Sequence, residues 1–244
     1  MLIDLGKELI IGLANRKIKN DSKLNAMRFK KILLAIAIAS GLVTGYSQPF
    51  IEDIQRFKAI DSETLPPQHA ILFIGSSSFT MWYDVSSYFP EYTIINRAFG
   101  GSTLEDLIRY VDDIVFPYAP SKIVIYCGEN DFAVNDTVDV EMVTQRFYTL
   151  FGLIRNRLPQ VPISYVSMKP SPLRWNLAGK FREANGKIET FIKLQPNTRF
   201  INVWDSMLNA DGVPDKDIFL DDMLHMNAKG YAIWQKLIEP SLTD

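Results

Sequence analysis

The sequence predicts a three-layer α/β/α sandwich around a five-stranded parallel sheet, and three observations carry that expectation. Five short apolar runs are spaced along the chain, at residues 71–74, 92–96, 122–126, 163–168 and 199–203. Within them the apolar residues are continuous rather than alternating with polar ones, which marks strands covered on both faces. Between and after them lie stretches of helical periodicity at 104–115, 140–158, 180–194 and 228–238, and alternation of this kind builds a parallel sheet between two layers of helix.

The first 48 residues stand apart from this body. They hold eight Lys or Arg against three Asp or Glu, which leaves eighteen basic against twenty-five acidic residues in the remainder. From Met27 the segment has the parts of an export signal: Arg28, Lys30 and Lys31, then the apolar stretch 32–43, then small residues at Thr44, Gly45 and Ser47. A membrane-spanning helix needs roughly 20 apolar residues. The stretch is shorter than that, so a signal peptide over 27–47, cleaved near Ser47, is expected, with an uncleaved membrane anchor as the alternative. Residues 1–26 precede this signal oddly. Either Met27 starts translation, or 2–13 is an interfacial helix beside the basic Arg16, Lys17 and Lys19. The expected protein is exported, periplasmic or secreted, with one domain over 49–244.

Each body element has its own justification. Ile71-Leu72-Phe73-Ile74 is an uninterrupted apolar strand closed by Gly75, and Ile123-Val124-Ile125-Tyr126 is another, ending on Cys127. That lone cysteine excludes an intrachain disulfide and reads as a small buried hydrophobe. The helix over 180–194 contains Gly186, which costs about 1 kcal/mol relative to alanine. With two histidines and one cysteine, no zinc-ligand spacing exists, so neither metal nor cofactor is expected. An acidic body with no basic stripe argues against a nucleic-acid partner and suits a neutral or weakly charged substrate.

In parallel α/β sheets, sites form where strands exit into loops at their C-terminal ends. Three such exits carry glycine and small polar residues: Gly75-Ser76-Ser77-Ser78, Arg97 to Thr103, and Gly128-Glu129-Asn130-Asp131. The first could raise a serine hydroxyl at a helix start, where backbone amides also bind a developing oxyanion. By composition alone Ser76, Ser77 and Ser78 all qualify, and a serine-rich helix cap is the plainer alternative. Gly100-Gly101 lets a backbone amide approach a ligand, and Asn130 offers an uncharged side-chain donor. Each of these, alone, is also an ordinary turn.

Asp222 stands three residues before His225, where a carboxylate can fix an imidazole tautomer. The other histidine, His69, is eight residues from Ser77 across the first strand, roughly 26 Å at about 3.3 Å per residue. His225 is therefore the one imidazole available to a serine at that exit.

Together the serine turn, the glycine turn, Gly128-Glu129-Asn130-Asp131 and Asp222-Met223-Leu224-His225, in this order, resemble the SGNH (GDSL-like) hydrolase superfamily. The similarity extends over roughly residues 70–242, with further local likeness at Ile95-Asn96-Arg97 and at Met226-Asn227 followed by Lys229-Gly230-Tyr231. The resemblance implies a flavodoxin-like fold with Ser77 as nucleophile, His225 as base and Asp222 as its carboxylate, Asp221 being the adjacent alternative. It also implies an oxyanion hole of the Ser77 amide, the Gly101 amide and the Asn130 side chain. One departure is visible: the family's usual Gly-Asp-Ser is Gly75-Ser76-Ser77 here.

The activity so implied is serine esterase chemistry through an acyl-enzyme. Short-chain or O-acetyl esters, possibly on glycans, suit an exported acidic protein with no long apolar lid better than triglycerides do. Trp82, Tyr83 and Trp175 are candidates for a sugar-stacking wall, and Arg174, in the loop after the fourth strand, for a substrate contact. Acetyl transfer to a glycan and noncatalytic glycan binding at the envelope are the alternatives.

Overall fold

The computed structural model describes residues 48–243. The expected export segment over 27–47 and the interfacial helix over 2–13 lie outside the described residues. Among those described, no helix is long and apolar enough to cross a membrane.

Five parallel strands form one sheet: β1 (Ile71–Gly75), β2 (Ile94–Asn96), β3 (Lys122–Tyr126), β4 (Ile163–Val166) and β5 (Thr198–Ile201). Their spatial order is β2-β1-β3-β4-β5, the flavodoxin-like order, and every neighbouring pair runs parallel. Connections rightward from β3 and leftward from β1 diverge at the β1–β3 pair, where Gly75 lies opposite Tyr126. This divergence opens a crevice at the C-terminal ends of those two central strands.

The continuous apolar runs are explained by the core, which lies on both faces. Leu72, Ile74, Ile123, Ile125, Ile163 and Tyr165 face one apolar cluster, and Ile71, Phe73, Val124, Tyr126 and Val166 face the other. The first face is covered by α1 (Ile51–Glu63), α4 (Leu104–Arg109), α5 (Val111–Ile114), α7 (Val140–Arg157) and α8 (Ala178–Lys193). Short helices α2 (Ser77–Thr80) and α3 (Val85–Tyr88), with α9 (Ala228–Ile238), cover the second, and α6 (Glu129–Ala133) follows β3.

Three local departures from the expected elements have physical causes. The helix expected over 104–115 is two, broken at Tyr110, whose backbone leaves helical geometry while its hydroxyl donates to the Pro49 carbonyl at 2.6 Å. Strands two, four and five are shorter than their apolar runs; in β5, at the sheet edge, Arg199 is exposed and the pattern is correspondingly less apolar. Helix α1, unanticipated, buries only Ile54 and Phe57. It is anchored at long range instead: Asp61 pairs with Arg97, accepts from the Tyr118 hydroxyl at 2.6 Å, and the Arg97 guanidinium lies over the Phe57 ring at 5.3 Å.

Candidate active site

Gly75 closes β1 with φ +145°, in a region that L side chains rarely adopt, and a Cβ there would stand 1.9 Å from the Tyr126 carbonyl oxygen. The same oxygen accepts the Ser76 amide at 3.0 Å, which bends the chain sharply off the sheet into α2. Ser77 is consequently the first residue of α2, half-buried, with its hydroxyl turned into the crevice. The Gly75 carbonyl in turn accepts the Phe99 amide at 3.0 Å and the Ser102 hydroxyl at 3.1 Å, fastening the glycine loop beside the serine. At Gly100 a Cβ would lie 3.9 Å from that of Ser77, and Gly101 has φ +85°. Among the described residues neither the Ser77 nor the Gly101 amide has an acceptor.

The third exit meets the second. Asn130, 6% exposed in α6, donates from Nδ2 to the Ser102 carbonyl at 2.9 Å. Its neighbour Asp131 accepts the Leu104 amide at 3.0 Å and Arg146 at 2.8 Å, so it caps α4 rather than facing the crevice. Burial pushes the Asp131 carboxyl up, against those bonds.

The imidazole comes from the loop before α9. Phe219 and Met226 bridge antiparallel, the Leu220 amide donates to the His225 carbonyl at 2.8 Å, and Met223 takes φ 56° at the tip of the turn. This tight loop points the His225 ring at Ser77, with Nε2 to Oγ 2.9 Å. On the other side, Nδ1 lies 2.5 Å from Asp222 Oδ2, while Oδ1 accepts the Leu224 and His225 amides at 2.9 and 2.8 Å. The geometry selects Asp222 over the adjacent Asp221, which has no bond to the ring. His69 sits before β1, at the opposite end of the sheet from this rim.

Burial by itself would raise the Asp222 carboxyl, but the His225 amide and ring and the Leu224 amide outweigh it and bring it down to about 2. A depressed carboxyl adds stability above its unfolded value of about 3.9 and loses that contribution as pH falls through the folded value. In a carboxyl-detected NMR titration, Asp222 should therefore remain ionised at about pH 4 and protonate only near pH 2. A midpoint at the ordinary aspartate value would contradict the bonding described. Acidification from neutral to mildly acid pH leaves this carboxylate unchanged.

Under Asn130 lies a buried ionic cluster that sequence reasoning missed. Glu129 is 4% exposed and accepts from the Tyr126 hydroxyl, the Lys169 amide at 3.1 Å, the Lys169 ammonium at 3.2 Å and Arg174 at 3.3 Å. Burial would raise its carboxyl, but the Lys169 and Arg174 cations and the Tyr126 hydroxyl hold it below the ordinary value. Burial pushes the Lys169 ammonium down, with Glu129 opposing. The signal in sequence was slight, since Glu129 is 40 residues from Lys169 and 45 from Arg174.

One expected substrate contact is corrected. Trp82 is 1% exposed: after α2 the chain turns inward and its indole stacks on Tyr231 at 4.7 Å, within the aromatic core beneath the crevice. It cannot form a sugar-stacking wall, whereas Tyr83 and Trp175 are exposed. Arg174 lies at the rim as expected, but its guanidinium is engaged internally, by Glu129 and by Asn130 Oδ1 at 2.8 Å.

A flavodoxin-like parallel sheet carrying a serine–imidazole–carboxylate relay at its central strand exit defines an ester hydrolase of the SGNH type. The sequence profile of the GDSL-like Lipase/Acylhydrolase family matches residues 54–233, and the chain belongs to that family. It is a carboxylic ester hydrolase. A search of curated proteins found no match. Solved structures with the same fold include one described as a platelet activating factor from Streptococcus pneumonia, at 22% identity and TM-score 0.70, covering 85% of this chain and 99% of that one. A GDSL-like lipase from Bacteroides thetaiotaomicron follows at 20% identity and TM-score 0.67, covering 77% and 96%. An acetyl-xylooligosaccharide esterase from Geobacillus Stearmophilus, solved as a mutant, has 13% identity and TM-score 0.57, covering 73% and 97%.

Proposed function

We propose that the enzyme removes short-chain or O-acetyl groups, borne on carbohydrate, through an acyl-enzyme formed on Ser77. The observation that carries this reading is the unbroken relay from hydroxyl to imidazole to carboxylate, at 2.9 and 2.5 Å. His225 Nε2 takes the Ser77 proton as Oγ attacks the ester carbonyl, while Asp222 holds the tautomer and stabilises the imidazolium. The Ser77 and Gly101 amides and Asn130 receive the tetrahedral oxyanion. Collapse breaks the bond to the alcohol, which leaves with the proton from His225. Water then attacks the acyl-enzyme, giving its proton to His225, and the acid departs as Ser77 regains its hydrogen.

Two features support the substrate class. The relay is shallow, with the Asp222 side chain 45% and the His225 side chain 20% exposed, so the alcohol side of the ester can be large and stay in solvent. Trp175, exposed beside Arg174 and stacked on Trp204 at 6.1 Å, offers an aromatic face at the rim.

The test is fluorophosphonate labelling combined with hydrolysis of p-nitrophenyl esters of increasing chain length and of acetylated oligosaccharides. Labelling confined to Ser77, and rates highest on acetyl or butyryl esters and on the oligosaccharides, are expected. Absence of labelling in folded protein sinks the acyl-enzyme, and a preference for long acyl chains sinks the substrate assignment. Asn130→Ala should lower kcat by about 10²- to 10³-fold, equivalent to about 2.7–4 kcal/mol of barrier, while KM changes little. A wild-type kcat in this variant would remove Asn130 from the oxyanion hole.

A further inference from the structure

We propose that Arg174 is a positioning residue for ester hydrolysis, its guanidinium fixing and polarising the Asn130 amide so that the free Nδ2 hydrogen meets the developing oxyanion. This rests on the acyl-enzyme reading above. The Asn130 amide is pinned at both ends: Arg174 Nη2 donates to Oδ1 at 2.8 Å, and Nδ2 donates to the Ser102 carbonyl at 2.9 Å. Turning the amide over would set its NH2 against a cation and its oxygen against a carbonyl, so one orientation is enforced. In that orientation Nδ2 keeps one hydrogen with no acceptor among the described residues. A cation bonded to the amide oxygen also draws charge from the nitrogen, which makes the remaining N–H a stronger donor.

The guanidinium is itself held. Its other arm donates to Glu129 Oε2 at 3.3 Å, on the carboxylate that Lys169 and the Tyr126 hydroxyl also engage. One buried carboxylate with two cations leaves the cluster positive beside Asn130, the sign that favours an oxyanion where screening by water is weak. The same loop reaches the base: the Leu173 amide donates to the Met223 carbonyl at 3.0 Å, inside the turn that carries His225. Lysine cannot reproduce this, because an ammonium lacks the fork that spans Glu129 and Asn130 together.

The experiment is a double-mutant cycle between Arg174→Ala and Asn130→Ala. It is read as kcat, KM and the second-order rate of fluorophosphonate labelling of Ser77, with a thermal midpoint for each variant. Arg174→Ala should lower kcat and the labelling rate about 10- to 100-fold, with KM within about threefold. In the Asn130→Ala background the same substitution should cost less than about threefold, because the amide through which it acts is gone. Low, non-denaturing guanidinium should restore Arg174→Ala and leave Asn130→Ala unrestored.

Equal losses in both backgrounds, a loss confined to KM, or full activity of Arg174→Ala would each overturn the proposal. Should Arg174→Ala fail to fold, Arg174→Lys carries the cycle, and partial activity that vanishes as a difference in the Asn130→Ala background is the supporting result. An unlabelled wild type defeats the acyl-enzyme reading itself. A labelled wild type with Arg174→Ala labelled at the same rate defeats only the role given to Arg174.

Discussion

Ser77→Ala should lower kcat by about 10⁶-fold on a small acetyl or butyryl ester, with a urea midpoint close to that of the wild type. The hydroxyl is the atom that bonds to the acyl carbon, and nothing nearby replaces it: Ser78 is 1% exposed, and the imidazole is bonded to Ser77. The oxyanion donors remain, so a residual acceleration of about 10³- to 10⁴-fold over water is expected. Half-buried, and losing only the hydrogen bond to His225, the site should tolerate the change at a cost of about 1 kcal/mol. His225→Ala should cost as much, and the double variant no more than either single one, since hydroxyl and imidazole act as one unit across 2.9 Å. Wild-type rates in both single variants would refute the relay.

Gly75→Ala carries the largest expected effect on stability. The added Cβ would meet a backbone oxygen at 1.9 Å, and the φ of +145° is strained for alanine besides. Neither can be relieved by a side-chain rotation, because the obstacle is the carbonyl of β3 that also holds the Ser76 amide. A loss above about 4 kcal/mol is expected, which at a urea m-value of about 1–3 kcal/mol/M moves the midpoint by more than 1 M or prevents folding. Gly152→Ala, in open space on α7, is the control and should be neutral or stabilising by up to about 1 kcal/mol. An unchanged midpoint in Gly75→Ala would mean that the turn is not the constraint it is taken to be.

The sheet was legible because strands buried on both faces must be apolar throughout, as Ile71 to Ile74 and Ile123 to Tyr126 are. The relay was legible for a different reason: with His69 at the far end of β1, His225 was left as the base by scarcity, whereas Ser77 was singled out from Ser76 and Ser78 only by the family resemblance. Helix α1 escaped because its apolar stripe is short, Ile51, Ile54 and Phe57, and the rest of its hold on the body is an ion pair and a ring contact with Arg97, 36 residues from Asp61. Trp82 misled because residue spacing gives proximity to a strand exit but not the direction taken after it. The partners of Arg174 were invisible for the converse reason. Glu129 and Asn130 lie next to each other in the sequence and the guanidinium divides itself between them, a geometry that only the folded β3 and β4 exits create.

The nucleophile and its base are separated by 148 positions, and the Tyr231 hydroxyl reaches back over 153 to brace the Ser78 carbonyl at 2.9 Å. During synthesis, then, the polypeptide emerges with its reactive alcohol long before the group that activates it. Until the ribosome has added the segment around residue 225, the growing chain holds the serine without its proton acceptor.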